Sequence, residues 1–347
     1  MVDPCEGWSP RPPVSTPLLY LSATDAEQLM PAVGDRIELA RYAMTSLVGD
    51  AELPPKLAVH PRPDGSFAHA MPASLRGAGA APDLLGMKWV AGFPTNSTAG
   101  LPAIHGTVVL NDPHTGVPLA MVDAGPVTSH RTAAVSGVAI DLWARARHRP
   151  VSEPTTAGPV DIAMVGAGVQ ARSHLPVLAH LLPGSSLVVH DRHPERAEAV
   201  CRSALEGGFR AARWASDAES AIEGADLVIT MLPFGGDRQR LRAQALSAAS
   251  LIVAVDYDMS IPAAVASGVS LFLVDEAKQF QATRAGGVFK GYPDPDMTLG
   301  VALDQGAAAP SGRTLVTHLG VGLADLVFAD ALRRAALEQG IGTLLPP

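Results

Sequence analysis

The glycine turn at residues 166–168 is the clearest motif with chemical meaning in the sequence. An apolar run over 160–165 leads into Gly166-Ala167-Gly168, and a helical pattern follows over about 170–181. In such a strand–turn–helix unit the first glycine permits the tight turn, and the second lets the backbone approach a pyrophosphate. The start of the helix offers N–H groups and a positive dipole end to the phosphates. The motif therefore predicts a dinucleotide site, whose residues are Gly166, Gly168, Val169 and Gln170.

A carboxylate after the next predicted strand favours NAD as that dinucleotide. Asp191 follows the strand-like run 186–190. A carboxylate there can accept hydrogen bonds from both hydroxyls of the adenosine ribose, and it would repel a 2′-phosphate. Arg192 and Arg196 leave NADP open as the alternative. We therefore predict a preference for NAD, with Asp191 and Arg192 among the cofactor-binding residues.

Lys88 and Arg131 are cations that their surroundings do not explain. Lys88 lies in an otherwise apolar segment, 84–92, where a cation either extends to solvent or pairs with an anion. Arg131 falls in the first turn of a helix predicted to begin at Thr128 and to run to about Arg147, so its charge opposes the helix dipole. A guanidinium there can hold a carboxylate or a phosphate bidentately, and the alternative is an ordinary surface arginine.

Two carboxylates follow a buried strand in the same half as the glycine turn. Asp256 and Asp258 come after the apolar run 251–255. Ligands of open parallel sheets bind outside the carboxyl ends of the strands. An aspartate there can transfer protons or hold a substrate ammonium, and a helix cap is the alternative.

The pattern of apolar residues predicts the elements that carry these groups. Strand-like runs and turn signals alternate over about 53–123, and Asn111–Gly116 has the composition of a hairpin turn. From residue 160 onward strands alternate with helical stretches, which is typical of βαβ units and a parallel sheet. The predicted strands cover 160–165, 186–190, 226–231, 251–255 and 270–274, and an amphipathic helix covers 323–339. A proline-rich arm over 1–17 and a linker over 149–159 complete the prediction.

Composition excludes several classes of protein. The 347 residues are 47% hydrophobic and 17% charged, which is typical of a globular chain, and the net charge of −8 without basic runs argues against nucleic acid as a partner. We find no apolar stretch long enough for a membrane span and no secretory signal, so we expect a cytoplasmic protein. His105, His130 and His174 lack the spacing of metal ligands, so we interpret them as structural and predict no metal.

Several segments together resemble the ornithine cyclodeaminase/mu-crystallin family, over about 50–330. The resembling segments include Pro54-Pro55-Lys56-Leu57-Ala58-Val59-His60, Gly86-Met87-Lys88-Trp89-Val90, His130-Arg131-Thr132-Ala133-Ala134 and Gly166-Ala167-Gly168-Val169-Gln170-Ala171-Arg172. The resemblance implies an α/β fold with a Rossmann-type doubly wound sheet and an α+β substrate-binding and dimerisation domain. It places the substrate-binding domain at 1–135 with 321–347, and the NAD(P)-binding domain at 136–320. It also implies a homodimer.

The resemblance also assigns roles to individual residues. Lys56, Lys88 and Arg131 fall on the family's substrate-carboxylate site, and Arg131 is also expected to bind the cofactor. Asp258 falls on the family's catalytic aspartate, so we predict Asp258 and Lys88 as the catalytic residues. Lys56 replaces the usual arginine, so a bidentate contact is lost there. The segment after Asp258 lacks the usual Lys-x-Glu-Leu run.

These residues favour an NAD(P)-dependent oxidoreductase that acts on a small α-amino or α-imino acid. The segment Lys88-Trp89-Val90-Ala91-Gly92-Phe93-Pro94 resembles the alanine dehydrogenase and ketimine reductase branches more than true ornithine cyclodeaminases. The first alternative is an ornithine or lysine cyclodeaminase that forms a cyclic imino acid and releases ammonia. The second is a non-enzymatic NAD(P)H-dependent binding protein.

Overall fold

The computed structural model describes residues 17–62, 65–77, 79, 81–147, 159–307 and 312–346. Two eight-stranded sheets form its frame. The predicted arm over 1–17 and the linker over 149–159 lie outside the described residues, apart from Pro17 and Pro159 at their ends.

The first sheet is mixed, because one parallel pair joins otherwise antiparallel strands. Its strands are β1 (Leu18–Leu21), β2 (Ala51–Glu52), β3 (Leu57–Val59), β4 (Phe67–Leu75), β5 (Leu84–Gly92), β6 (Ile104–Asn111), β7 (Pro118–Asp123) and β16 (Thr343–Leu345). The order is β16-β1-β7-β6-β5-β4-β2, β3 pairs with β4, and β1 runs parallel to β7. The predicted hairpin turn at Asn111–Gly116 joins β6 to β7, where Asp112 accepts hydrogen bonds from the N–H groups of His114 and Thr115.

The second sheet is parallel throughout, as the alternation from residue 160 predicts. Its strands are β8 (Asp161–Val165), β9 (Ser186–His190), β10 (Ala211–Trp214), β11 (Leu227–Thr230), β12 (Leu251–Ala254), β13 (Leu271–Val274), β14 (Met297–Thr298) and β15 (Thr314–Thr317). The order β10-β9-β8-β11-β12-β15-β13-β14 is doubly wound about β8, so the turn after β8 lies at the switch point where ligands bind. Sequence reasoning missed β10, β14 and β15, which are short and lack clear turn signals.

Ten helices cover the two sheets in the described chain. They are α1 (Ala23–Gln28), α2 (Val33–Ser46), α3 (Ala124–Arg147), α4 (Val169–Leu181), α5 (Pro194–Glu206), α6 (Ala218–Ile222), α7 (Ala263–Ala266), α8 (Ala277–Ala285), α9 (Leu299–Asp304) and α10 (Gly322–Gln339). Ser22 caps α1 in a capping box with Asp25. One buried hydrophobic cluster extends from the first sheet through α3 and α4 to one face of the second, and another covers the opposite face.

The start of α3 corrects one prediction. The helix begins at Ala124 rather than at Thr128, because β7 enters it directly and the Asp123 carboxylate accepts a hydrogen bond from the Gly125 N–H at 2.8 Å. Arg131 therefore lies in the third turn, and the argument that its charge opposes the helix dipole was wrong. The helix contacts both α2 and α4, so the predicted domain boundary between 135 and 136 falls inside it.

Candidate active site

A small cavity lies where the first sheet meets the carboxyl ends of the second. Its volume is about 240 Å³, and Lys56, Lys88 and Arg131 line it together with Gln170 from the first turn of α4, directly after the glycine turn. The three cations come from the loop before β3, from β5 and from α3. The structure therefore brings the predicted carboxylate-binding residues to one place, which we call the inner cavity.

Lys88 is a buried ion-pair partner and does not extend to solvent. It lies on the inward face of β5, and only 1% of the residue is exposed. Its Nζ donates to Oδ1 of Asp325 at 3.0 Å and to Oγ1 of Thr128 at 3.1 Å. Burial lowers the pKa of Lys88 to about 8, although Asp325 opposes that shift.

Asp325 joins Lys88 to Arg131 and is a site residue that sequence reasoning missed. Arg131 Nε donates to the same Oδ1 at 3.0 Å. Burial alone would raise the pKa of Asp325, but Arg131 and Lys88 together hold it below its usual value. Its position in the otherwise apolar stretch 322–329 of α10 was the available signal, since an aspartate on a buried helix face needs a partner.

Lys56 is held at the other side of the inner cavity. Its Nζ donates to the Tyr257 hydroxyl at 2.9 Å and to the carbonyl of Leu319. Burial lowers its pKa to about 8, with Asp275 opposing the shift. Asp275 is itself buried and accepts from the Gly320 N–H at 2.7 Å.

The net charge of this cluster depends on its carboxylates. Three cations, Lys56, Lys88 and Arg131, are coupled to the buried carboxylates of Asp275 and Asp325, and Asp256 also lines the inner cavity. Burial raises the pKa of both Asp275 and Asp256, and the cluster is positive when either of them is protonated. Such a site suits one carboxylate of a small ligand.

Asp258 is not among the residues that line the inner cavity. Its side chain is buried, forms an ion pair with Nη1 of Arg238, and accepts from the Phe289 N–H at 2.9 Å. Asp256 lines the cavity instead and accepts from Thr230, Ser260 and the N–H of Leu232. Burial raises the pKa of Asp256 to about 6.

The glycine turn has the geometry that a dinucleotide phosphate needs. Gly166 has φ +109°, and a Cβ there would lie 2.6 Å from the carbonyl oxygen of Met231. Gly168 is the N-cap of α4, without a side-chain cap, and a Cβ there would meet nothing within 4 Å. Gly166 is thus packed against the protein, whereas the space next to Gly168 at the start of α4 is open, so a pyrophosphate fits there.

The predicted ribose-binding residues line a second cavity of about 420 Å³. Asp191, Arg192 and Arg196 all contribute to it. Oδ2 of Asp191 accepts from the Ala167 N–H at 2.8 Å, and Oδ1 accepts from the His193 N–H at 2.9 Å. Each oxygen keeps a further lone pair for a ribose hydroxyl, while the two arginines offer charge to a 2′-phosphate.

A buried hydrogen-bond chain connects the turn to the inner cavity. His174 Nδ1 must donate to the carbonyl of Gln170 at 2.6 Å, so its Nε2 accepts from Ser136 at 2.8 Å. The Ser136 oxygen then accepts from His318 Nε2 at 2.9 Å, which leaves His318 Nδ1 as a buried acceptor without a protein partner. Burial lowers the pKa of His174 to about 4 and that of His318 to about 3, so both rings are neutral.

The described residues contain neither a membrane-spanning helix nor a cluster of metal ligands. No helix in this part of the chain combines the length and the apolar character that a membrane crossing requires. Within the same residues, no group of three or more histidine, cysteine, aspartate or glutamate side chains could hold a metal ion.

Comparison with known proteins identifies the family. The model of the ornithine cyclodeaminase/mu-crystallin family matches residues 17–260, and the chain belongs to this family. The match confirms the predicted family, although it begins before residue 50 and ends before residue 330.

Relatives and solved structures agree with the predicted class. The nodulation efficiency protein NfeD of Rhizobium meliloti is 29% identical, covering 86% of this chain and 88% of its own. The alanine dehydrogenase of Archaeoglobus fulgidus is 25% identical, and the match covers 93% of this chain and 94% of the relative. The Delta(1)-pyrroline-2-carboxylate reductase of Thermococcus litoralis, solved with NADH and L-proline, superposes with a TM-score of 0.78 at 23% identity, covering 94% and 100%. This likeness confirms the predicted α/β fold.

Proposed function

We propose that this protein is an NAD(P)-dependent oxidoreductase that acts on a small α-amino or α-imino acid. One observation carries the proposal: Gln170, which belongs to the predicted dinucleotide site, lines the same 240 Å³ cavity as Lys88 and Arg131. A ligand carboxylate held by those cations lies within one small molecule's length of the cofactor site. The family and the alanine dehydrogenase relative support the same class of reaction.

The three cations position the substrate in this proposal. Arg131 and Lys88, with Lys56 opposite, bind the α-carboxylate, and Asp325 fixes the first two by accepting a hydrogen bond from each. Fixing the carboxylate fixes the α-carbon, and orientation supplies much of the rate in such reactions. The nicotinamide of the bound cofactor supplies or accepts the hydride.

Proton transfer is assigned to Asp258, with Asp256 as the competing candidate. Asp258 must leave Arg238 before it can reach a ligand in the inner cavity, whereas Asp256 already lines that cavity and has its pKa raised by burial to about 6. Asp258→Asn and Asp256→Asn separate the two, because only the true proton carrier loses turnover with an unchanged KM.

We also propose a cytoplasmic homodimer that prefers NAD. The outer face of the first sheet exposes Leu57 (62%) and Trp89 (43%), which flank Ala70 in register. Apolar residues that are contiguous on a sheet face suit a second copy of the chain. The sequence has only two cysteines, which suits a reducing compartment. Mass measurement in solution tests the dimer, and the NADH to NADPH ratio of kcat/KM tests the cofactor.

The proposed reaction is tested by an NAD(P)H-coupled screen in which products are identified by mass. Amino acids, cyclic imino acids, and 2-oxo acids with ammonia or amines are the substrates. Net NAD(P)H turnover with an α-amino acid product supports the proposal. A cyclic imino acid formed from ornithine or lysine with trace NAD, without NADH accumulation, would establish the cyclodeaminase instead. Cofactor binding without turnover of any substrate would favour the non-enzymatic alternative.

A further inference from the structure

A larger cavity of about 730 Å³ adjoins the inner cavity and has no role in the proposed function so far. We call it the outer cavity. Five residues line both cavities, so the two adjoin: they are Lys56, Phe67, His69, Phe234 and Tyr257. The side chain of a substrate whose α-carboxylate is bound in the inner cavity would pass these five residues to reach the outer cavity.

The lining of the outer cavity is positively charged, whereas the chain as a whole has a net negative charge. Lys56, Arg62 and Arg238 contribute cations and His60 a titratable ring, while none of the described residues that line it carries a carboxylate. Asp258, behind the lining, offsets the charge of Arg238, so the excess rests on Lys56 and Arg62. The chain as a whole has 34 acidic and 26 basic side chains. This local excess selects against cationic groups and in favour of anions.

Two side chains in the outer cavity retain hydrogen-bonding capacity for a ligand. Arg238 contacts Asp258 through Nη1, and the other nitrogens of its guanidinium carry further donors that a second carboxylate can use. Ser66 is 3% exposed, and its hydroxyl has no partner in the protein. A buried hydroxyl without a partner is costly unless a ligand satisfies it.

We infer that the outer cavity binds a second anionic group, so that the preferred substrate is a dicarboxylic α-amino or α-imino acid. This inference rests on the proposed function, since it takes the α-carboxylate to lie at Lys88 and Arg131. A diamino acid would place its distal ammonium near Arg62 and the Arg238–Asp258 pair, with Lys56 at the boundary of the two cavities, and no described residue of the lining offers a carboxylate to it. The same charges therefore disfavour ornithine and lysine as substrates.

The test uses pairs of substrates that differ only in the distal charge. We expect aspartate to exceed asparagine, and glutamate to exceed glutamine, by roughly tenfold or more in kcat/KM, from the strength of a charge-assisted hydrogen bond. Arg62→Gln and Arg238→Gln should each reduce that preference, and Arg202→Gln, an exposed control on α5, should not. Arg238→Gln also leaves the Asp258 carboxylate without its ion-pair partner, so Arg62→Gln is the more direct test of the two.

Binding provides a second measurement that does not depend on turnover. Calorimetric titration of the intact protein with glutamate and with glutamine should show the same order of preference and the same loss in the two arginine variants. Equal affinity for both, preference for the amide or for ornithine, or a preference that survives in both arginine variants would overturn the inference. If no substrate turns over, the proposed function fails, and the titration still decides whether the outer cavity binds an anion.

Discussion

Replacing Asp325 by asparagine should destabilise the protein strongly, because the substitution removes the only formal negative charge in direct contact with Lys88 and Arg131 among the described residues. Each cation lies 3.0 Å from Oδ1. At an effective dielectric constant of about 20, each contact is worth about 5 kcal/mol of Coulomb energy before desolvation is subtracted. Breaking a buried pair while its partner stays buried costs about 3–5 kcal/mol, and we expect a loss of that size in the free energy of unfolding.

Asp330→Asn is a matched control on the same helix. Asp330 is paired with Arg333 and Arg334, each at 3.0 Å, but those arginine side chains are 24% and 55% exposed. Water screens such pairs, so their loss costs less than about 1 kcal/mol. The two substitutions make the same chemical change in different surroundings.

Urea unfolding of the unsubstituted protein, Asp325→Asn and Asp330→Asn, followed by tryptophan fluorescence, measures the free energy of unfolding that each substitution removes. The reasoning is refuted if Asp325→Asn and Asp330→Asn lose the same free energy of unfolding. A second readout is the pH dependence of KM. Because Asp325 raises the pKa of Lys88, the pH above which KM increases should be lower in Asp325→Asn than in the unsubstituted protein.

Four further predictions concern activity and cofactor binding. KM for the amino or imino acid should be flat below about pH 8 and rise roughly tenfold or more per pH unit above it, because Lys88 and Lys56 both lose their protons there. A flat profile to about pH 9.5 argues against carboxylate binding by these lysines. Asp258→Asn should reduce turnover by roughly 10²–10⁴-fold, and a near-normal rate removes it from the mechanism. Gly168→Ala should fold normally yet bind NADH more weakly in a fluorescence titration, whereas Gly166→Ala should also lower the melting temperature, since its Cβ meets backbone. Asp191→Asn should shift the kcat/KM ratio toward NADPH, and an unchanged ratio refutes the assigned preference.

Local patterns allowed much of the fold to be predicted from the sequence. The second sheet follows from alternating strand and helix periodicity, and the turn at Gly166 follows from a motif whose parts are adjacent in the chain. The strands of the first sheet around Lys88 were likewise expected from their runs and turn residues. Each of these features depends on short-range sequence.

The contacts that complete the site could not be predicted in the same way. Asp325 meets Lys88 across 237 positions of sequence, and only the folded topology brings α10 to β5. The orientation of Asp258 toward Arg238 depends on the loop after β11, which has no regular pattern. The start of α3 was misplaced because Thr128 has the residue type of a cap, whereas its hydroxyl accepts a hydrogen bond from Lys88 inside the helix.

The central claim is that the ligand carboxylate bound by Lys88 and Arg131 holds an α-carbon against the nicotinamide. Reduction with NADH deuterated at the transferable position tests it most directly, with the imino acid or 2-oxo acid and ammonia as substrate and the product analysed by mass spectrometry. We predict deuterium at the α-carbon of the amino acid product, and loss of that transfer in Arg131→Met. An unlabelled product, or transfer that is undiminished in Arg131→Met, would contradict the account.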